Sequence, residues 1–267
     1  MAALDFITAL FTGFAGALAV QLVAFISAYK RKRVDIVDAA WGLSFVGIIA
    51  ALLLSGRQLS PAVLIVDWLV IIWAVRLSSH IFERFLHSHT QDERYTNLMK
   101  NWPHERHWFQ VFFKIFVLQA GLATLVSLPI VIITVFHPGI NLFTWLGIGV
   151  WMVGFLIEAV ADRQLQQFLR RPNRSELMQE GLWKYSRHPN YFGEVLLWWG
   201  IALVSCATPL WWLGLLGALI ITWLICFVSG IPLAEARAAL KKGWPEYKRR
   251  TSPLIPWPPK KRNFVDL

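Results

Sequence analysis

The chain has only two cysteines in 267 residues, Cys206 and Cys226, and both fall in apolar runs. Neither a disulfide framework nor a thiolate-based metal cluster can be built from them, and the histidines lack the spacing of a metal site. Charge is scarce as well, at 16% against the roughly 25% of soluble domains. Acidic side chains are the scarcer sign, with 16 Asp and Glu against 26 Lys and Arg. No GxGxxG follows a strand, which removes the ordinary Rossmann route to a dinucleotide. No internal repeat, low-complexity linker or composition break marks a second domain, so 1–267 reads as a single unit.

What fills the sequence instead is hydrocarbon. Hydrophobic residues make up 56% of the chain, including 15 Trp, and the mean hydropathy is +0.50. This predicts an all-α, polytopic membrane bundle. Apolar runs lie at roughly 4–28, 39–55, 61–81, 109–136 and 141–161, each near the ~20 residues that cross a bilayer core. A sixth, about 191–230, is too long for one span and breaks at Thr208-Pro209, giving about seven helices. Lys and Arg cluster after the first, third, fifth and last of these, while the alternate connections hold only Arg57. The positive-inside rule then places the N-terminus outside and the C-terminus in the cytoplasm. Residues 1–28 do not read as a cleavable signal, because the positive cluster follows the apolar run. The net charge of +10 gathers on one membrane face, which favours lipid and phosphate groups over nucleic acid.

Chemistry concentrates in GLWKYSRHPNYFGEVLLWWG, residues 181–200. Tyr185, Arg187, His188, Asn190, Tyr191 and Glu194 sit there against a Trp-rich run, and burying such a set is costly unless its members bind one another or a polar ligand. Glu158 and Asp162, four residues apart, share a face at the cytoplasmic end of the fifth helix. They either pair with nearby arginines or hold polar groups of a ligand. Arg170, Arg171 and Arg174 follow on a Pro/Asn/Ser loop, where guanidinium groups could grip phosphate. Asp35 and Asp38 lie at i and i+3 where the second helix begins, with Trp41 next on that face; Asp35 is also a candidate helix cap. Arg76, His80 and Arg84 recur every four residues on the third helix, so Arg76 is expected to meet a carboxylate such as Asp38, Glu158 or Glu194. DERY, residues 92–95, reads as part of an interfacial segment.

The tract RHPNYFGE, preceded by GLWKYS, resembles the C-terminal signature of bacterial steroid 5-alpha-reductase-like membrane proteins, a family grouped with 3-oxo-5-alpha-steroid 4-dehydrogenases and sterol reductases. EAVADRQLQQF at 158–168, VDAAWGLSF at 37–45 and RRTSPLIPWPP at 249–259 extend the resemblance over most of the chain. An RHPxYxG core also occurs in isoprenylcysteine carboxyl methyltransferases. The resemblance implies NADPH as cofactor, held by a C-terminal half at about 141–267, with substrate-side helices at about 1–136. It carries Asp162, and Arg170 or Arg171, onto cofactor-contacting positions, and Asn190 and Glu194 onto the nicotinamide carboxamide. It also implies a C-terminal tail packed over the cofactor, making Glu235, Arg237, Tyr247 and Arg250 candidate contacts. The sequence departs from the steroid reductases on the substrate side. Asp35 and Asp38 stand where those enzymes have a Gln-Glu pair, and Trp73 stands where a Tyr precedes an Arg by three residues, here Arg76.

These observations predict an NADPH-dependent reductase of a conjugated carbon–carbon double bond in a lipophilic, steroid-like or isoprenoid-like substrate, placed in the bacterial inner membrane. Asp38 is the expected polarising acid, with Tyr191 in reserve; Asp35, Trp41, Trp73, Arg76 and Glu158 are expected near the substrate. The rival readings are an S-adenosylmethionine-dependent membrane methyltransferase and a non-enzymatic lipid-binding module.

Overall fold

The computed structural model describes residues 2–88 and 90–260, and among these the fold is entirely helical apart from one isolated bridge between Ser186 and Ser252. The helices in chain order are α1 (Ala2–Arg31), α2 (Ile36–Leu54), α3 (Pro61–His87), α4 (Glu93–Met99), α5 (His107–Val111), α6 (Leu118–Val126), α7 (Leu128–Phe136), α8 (Leu142–Leu169), α9 (Pro189–Ser205), α10 (Trp211–Trp223), α11 (Ile231–Ala238) and α12 (Trp244–Arg250). Wider π-helical turns join α5 to α6 at Phe112–Val117 and extend α10 at Leu224–Val228. Six of the resulting helical stretches are long and apolar enough to cross a membrane: Ala3–Arg31, Ile36–Leu54, Pro61–His87, His107–Val126, Leu142–Leu169 and Trp211–Ala238. The protein is an integral membrane protein, and outward-pointing side chains such as Phe11 (70% exposed) and Trp68 (64%) present the apolar surface that hydrocarbon requires.

Two expected boundaries moved for identifiable reasons. The run 109–136 is not one helix: it ends at Val126, Ser127 donates its hydroxyl to the Thr124 carbonyl, and α7 restarts with Pro129 in its first turn. Proline has no N–H to donate and its ring excludes the carbonyl four residues back, but it is well tolerated at a helix start. The fifth run continues well past 161, because α8 keeps turning through Asp162 and Gln166 to Leu169. The long region 191–230 is divided as α9 ends at Ser205 and α10 begins at Trp211, and α9, at 17 residues, is shorter than the six spans.

The chain forms two compact units, one made of residues up to Thr144 together with Val204–Gly217, the other of Trp145–Leu203 together with residues from Ala218 on. In the first, α1 and α2 cross so closely at Gly16 and Gly47 that a methyl group on either would strike the opposite backbone. Small residues let membrane helices meet backbone to backbone where no hydrophobic effect drives them together. Beside this crossing, Ala24, Ala28, Val37, Ala40, Tyr95, Val111 and Phe116 form a buried cluster. In the second unit, Gly154 of α8 and Gly193 of α9 make an equivalent crossing, and Trp199 donates its indole N–H to Thr222 Oγ1 at 3.2 Å, tying α9 to α10.

Candidate functional site

The signature tract lies in the second unit, at the start of α9. Gly193 sits there against α8: a Cβ on it would come within 2.5 Å of the Glu158 amide nitrogen and 2.6 Å of the Gly154 carbonyl. This backbone contact is what the glycine serves, and it sets the first turn of α9 beside the carboxylate end of α8. Asn190 Nδ2 consequently donates to Asp162 Oδ1 at 3.2 Å. Glu158 and Asp162 are both buried, at 2% and 8% exposure. Upstream, Leu182 N donates to Gln164 Oε1 at 2.9 Å and Trp183 Nε1 to the Ala161 carbonyl at 3.1 Å, so the GLWKYS segment is pinned along the same helix end.

Two polar atoms here are buried without a hydrogen-bond partner among the described residues, Asn190 Oδ1 and His188 Nε2. Native interiors rarely leave such atoms unsatisfied; His188 Nε2 has the Glu235 carboxylate 3.7 Å away, which leaves Asn190 Oδ1 as the acceptor open to a polar ligand. The His188 ring stacks on Tyr191, with centroids 5.3 Å apart and planes at 15°. Burial pushes its pKa down to about 4; the nearby Glu235 carboxylate opposes this and Arg187 reinforces it. His188 is therefore neutral at physiological pH.

Arg187, expected to contact a cofactor, does something else. Its Nε donates to Glu235 Oε1 at 2.8 Å and Nη2 to the same oxygen at 2.5 Å, while Nη1 donates to the carbonyls of Lys248 (2.9 Å) and Thr251. A guanidinium with its donors so occupied, and 7% exposed, has little left for phosphate. Glu235, also expected on the cofactor, is likewise engaged by Arg187 and by Lys248 at 3.3 Å. Around this pair the C-terminal tail is laid onto the signature. Arg187 N donates to the Ser252 carbonyl at 2.8 Å and Trp257 N to that of Tyr185 at 3.0 Å. Ser186 Oγ donates to the Leu254 carbonyl at 2.7 Å and Tyr247 OH to that of Trp183 at 2.6 Å. Burial raises the Tyr247 pKa well above its ordinary value, keeping the phenol a donor. Arg250 pairs weakly with Glu246 at 3.4 Å. Arg237 is exposed on α11, and Tyr185 is about two-fifths exposed.

The arginine loop stays at the surface. Arg170, Arg171 and Arg174 are all exposed, and Arg171 forms an ion pair with Glu180 at 2.8 Å.

In the first unit, each aspartate of α2 is taken by an arginine. Asp35 receives Arg33 Nη2 at 2.7 Å and Nε at 3.2 Å, and Arg33 also donates to the carbonyls of Phe85, in the last turn of α3, and Ser88, just past it. Asp35 makes no side-chain cap bond, and its role is this clamp rather than the expected substrate contact. Asp38 receives Arg94 Nη2 at 2.5 Å on one oxygen and Tyr95 OH at 2.6 Å on the other. Both oxygens of Asp38, the expected polarising acid, are thus engaged by side chains of α4. Burial alone would lower the Arg94 pKa, but Asp38 and Asp92 outweigh it and hold the guanidinium above its ordinary value. Burial and the Asp38 charge both raise Tyr95 well above the usual phenol. Trp73, expected beside a substrate, is fully buried with its ring edge-on to Phe45 at 5.4 Å, so it is a core residue. Trp41 packs edge-on to the same Phe45 and is half-buried, as is Arg76 on α3. No group of three or more His, Cys, Asp or Glu suited to a metal occurs among the described residues.

Sequence reasoning missed Arg94 and Tyr95 as partners of Asp38, and Arg187 with Glu235 as the fastening of the tail. DERY and the basic tail were visible, but nothing in the sequence links positions 48 to 57 residues apart.

Comparison with known proteins bears on this arrangement. The chain is 34% identical over 114 residues to 3-oxo-5-alpha-steroid 4-dehydrogenase 1 of Macaca fascicularis and 32% identical over 114 residues to that of Homo sapiens, in each case 42% of this chain and 40% of the relative. With the Bos taurus protein it shares 37% identity over 67 residues, 24% of this chain and 26% of the relative. The chain thus spans about two-fifths of the length of the first two. A family described as a protein of unknown function, DUF1295, matches residues 24–251, which include the Asp38 cluster, the α8–α9 crossing and the signature tract. The chain belongs to the DUF1295 family.

Proposed function

We propose that the protein is a membrane-embedded reductase that uses NADPH to reduce a carbon–carbon double bond conjugated to a carbonyl in a steroid-like or isoprenoid-like substrate, in the bacterial inner membrane with its N-terminus outside and seven spans, α9 included. The observation that carries the reading is the buried Asn190 Oδ1, without a hydrogen-bond partner among the described residues, beside Asp162 at the start of α9. A primary carboxamide offers an N–H donor to Asn190 Oδ1 and an acceptor to neighbouring donors. Asn190, Asp162, Glu194 and neutral His188 would hold the nicotinamide end, and Arg170, Arg171 and Arg174 are the cations within chain reach for phosphate. NADPH would supply the hydride.

Arg187 and Glu235 are positioning residues, since they fasten the tail that covers the tract. On the substrate side, Asp38 also positions: it anchors the Tyr95 hydroxyl and the Arg94 guanidinium, whose Nη1 is engaged in neither of its aspartate contacts. We assign polarisation of the substrate carbonyl to Arg94 Nη1, since the one Tyr95 hydroxyl proton is already given to Asp38; that guanidinium donor would stabilise enolate charge as it develops. Similarity to the 3-oxo-5-alpha-steroid 4-dehydrogenases supports this reaction class.

The test is direct binding of NADPH and of S-adenosylmethionine to the purified full chain. Asn190→Ala and Glu194→Gln should each weaken NADPH by at least ~1 kcal/mol, because each removes a hydrogen-bond partner from a desolvated ligand. Asp38→Asn and Tyr95→Phe should leave NADPH binding intact while slowing enone reduction. Wild-type protein that binds only S-adenosylmethionine, with Asn190 and Glu194 mattering to it, would replace the reductase with a methyltransferase. Protein that binds neither would leave a lipid-binding module.

A further inference from the structure

The first unit carries an open groove of about 360 Å³ lined by Phe25, Tyr29, Trp108, Phe109 and Phe112. That volume lies within the roughly 300–1,000 Å³ of small-molecule sites. Its walls are built by two helix ends brought side by side. Phe25 packs on Phe112 with ring centroids 4.9 Å apart, and Tyr29 packs edge-on to Trp108 at 5.0 Å. Phe109 is 64% exposed and Tyr29 is about half exposed. Lys32 closes one end: its Nζ lies 4.3 Å from the Tyr29 ring centroid and 5.1 Å from that of Trp108. Lys32 adopts a left-handed conformation, φ 56, just beyond α1, and the following Arg33 N donates back to the Ala28 carbonyl. The turn that ends α1 thus holds the ammonium over the aromatic walls, with Lys30 and Arg31 exposed beside it.

We propose that this groove is a binding site for one anionic phospholipid, its acyl chain on the aromatic floor and its phosphate at Lys32, Lys30 and Arg31. Apart from the Tyr29 hydroxyl and the Trp108 indole N–H the lining is apolar, too little for a sugar, nucleotide or peptide, so the buried part of the ligand is hydrocarbon. The rim is cationic, so the exposed part is an anion. The groove stands where two membrane-spanning stretches, Ala3–Arg31 and His107–Val126, reach the bilayer surface, the depth at which a phospholipid joins those two chemistries. Trp and Tyr collect at membrane interfaces generally; here five rings line one shallow groove, with the Lys32 ammonium over two of them. The inference is independent of the reductase reading.

The experiment is native mass spectrometry of the full chain released from nanodiscs holding about equal dioleoyl-phosphatidylglycerol and dioleoyl-phosphatidylcholine. Wild type should retain the anionic lipid several-fold over the zwitterionic one. Lys32→Gln should cut that excess about fivefold, the factor equivalent to the ~1 kcal/mol of one basic residue at an anionic surface. Phe109→Ser, at a largely exposed position that need not disturb folding, should lower retention of both lipids. Lys241→Gln, in a different basic cluster, should change neither. Equal retention of the two lipids by wild type would overturn the site. So would an undiminished anionic excess in Lys32→Gln, or unchanged retention in Phe109→Ser.

Discussion

Replacing Arg187 by Gln tests whether the buried ion pair fastens the tail. The substitution removes the Glu235 partner and the donors to the Lys248 and Thr251 carbonyls. Breaking one member of a buried pair costs about 3–5 kcal/mol, mostly because the other charge is left uncompensated. Lys248, 3.3 Å from Glu235 but over half exposed, offsets a little of this, so we take the lower end, about 3 kcal/mol. At 1.4 kcal/mol per factor of ten, opening of the tail should become ~10²-fold more frequent. Hydrogen exchange reads it directly, because the amides of Arg187 and Trp257 bond across the join, to Ser252 and Tyr185. Both should lose protection by that factor, while amides within α8 keep theirs. Arg187→Lys should fall between, since one ammonium can satisfy Glu235 but not the two carbonyls as well. An increase below about fivefold in Arg187→Gln, or an equal increase throughout α8, would refute the fastening.

Other expectations follow from the same geometry. His188 has a folded pKa of about 4, below the ordinary 6.5; between these values the undocked tract takes up a proton that the docked tract refuses. Docking is therefore complete above about pH 6.5 and weakens toward pH 4, by roughly 3 kcal/mol at about 1.4 kcal/mol per unit. The thermal midpoint of wild type should fall more between pH 7 and 4.5 than that of His188→Gln, and equal falls would contradict it. Gly16→Ala places a methyl group against the Gly47 carbonyl. It should cost about 1–3 kcal/mol by forcing α1 and α2 apart, read as a lower denaturation midpoint; no change would mean that this crossing is slack. Reporter fusions after residues 32, 100 and 175 should be cytoplasmic and those near 58, 139 and 208 external. Reversal at any of them would remove the proposed topology.

How much of this was legible in the sequence depended on range. The apolar runs and the break before α10 could be read because lipid imposes a local rule, a certain length of hydrocarbon between charged ends. The juxtaposition of Asp162 with the signature was implied by resemblance and is drawn by Gly154 and Gly193, whose meaning as a crossing appears only once two helices are side by side. Arg187 stays open in the sequence because a buried cation next to a histidine suits a phosphate and a carboxylate equally. Only the fold shows that Glu235 arrives first. The partners of Asp38 are not legible because they stand on α4, a helix of seven residues with no periodic signal strong enough to place it. Trp73 was assigned by position within a motif, where burial decides the matter the other way.

The fastening of the tail also sets an order of events during synthesis. Arg187 leaves the ribosome 64 residues before Thr251, whose carbonyl it binds, an interval of roughly 3–13 s at 5–20 residues per second. A guanidinium meant for burial waits first for its carboxylate, which follows 48 residues later, and then for the last of its carbonyls, 64 residues later. Water and lipid phosphate are its interim partners, and the first turn of α9 can be threaded into the bilayer while the join is still open. A nascent chain stalled before residue 251 would carry its membrane helices and still lack the carbonyl and tail bonds that fasten the signature tract.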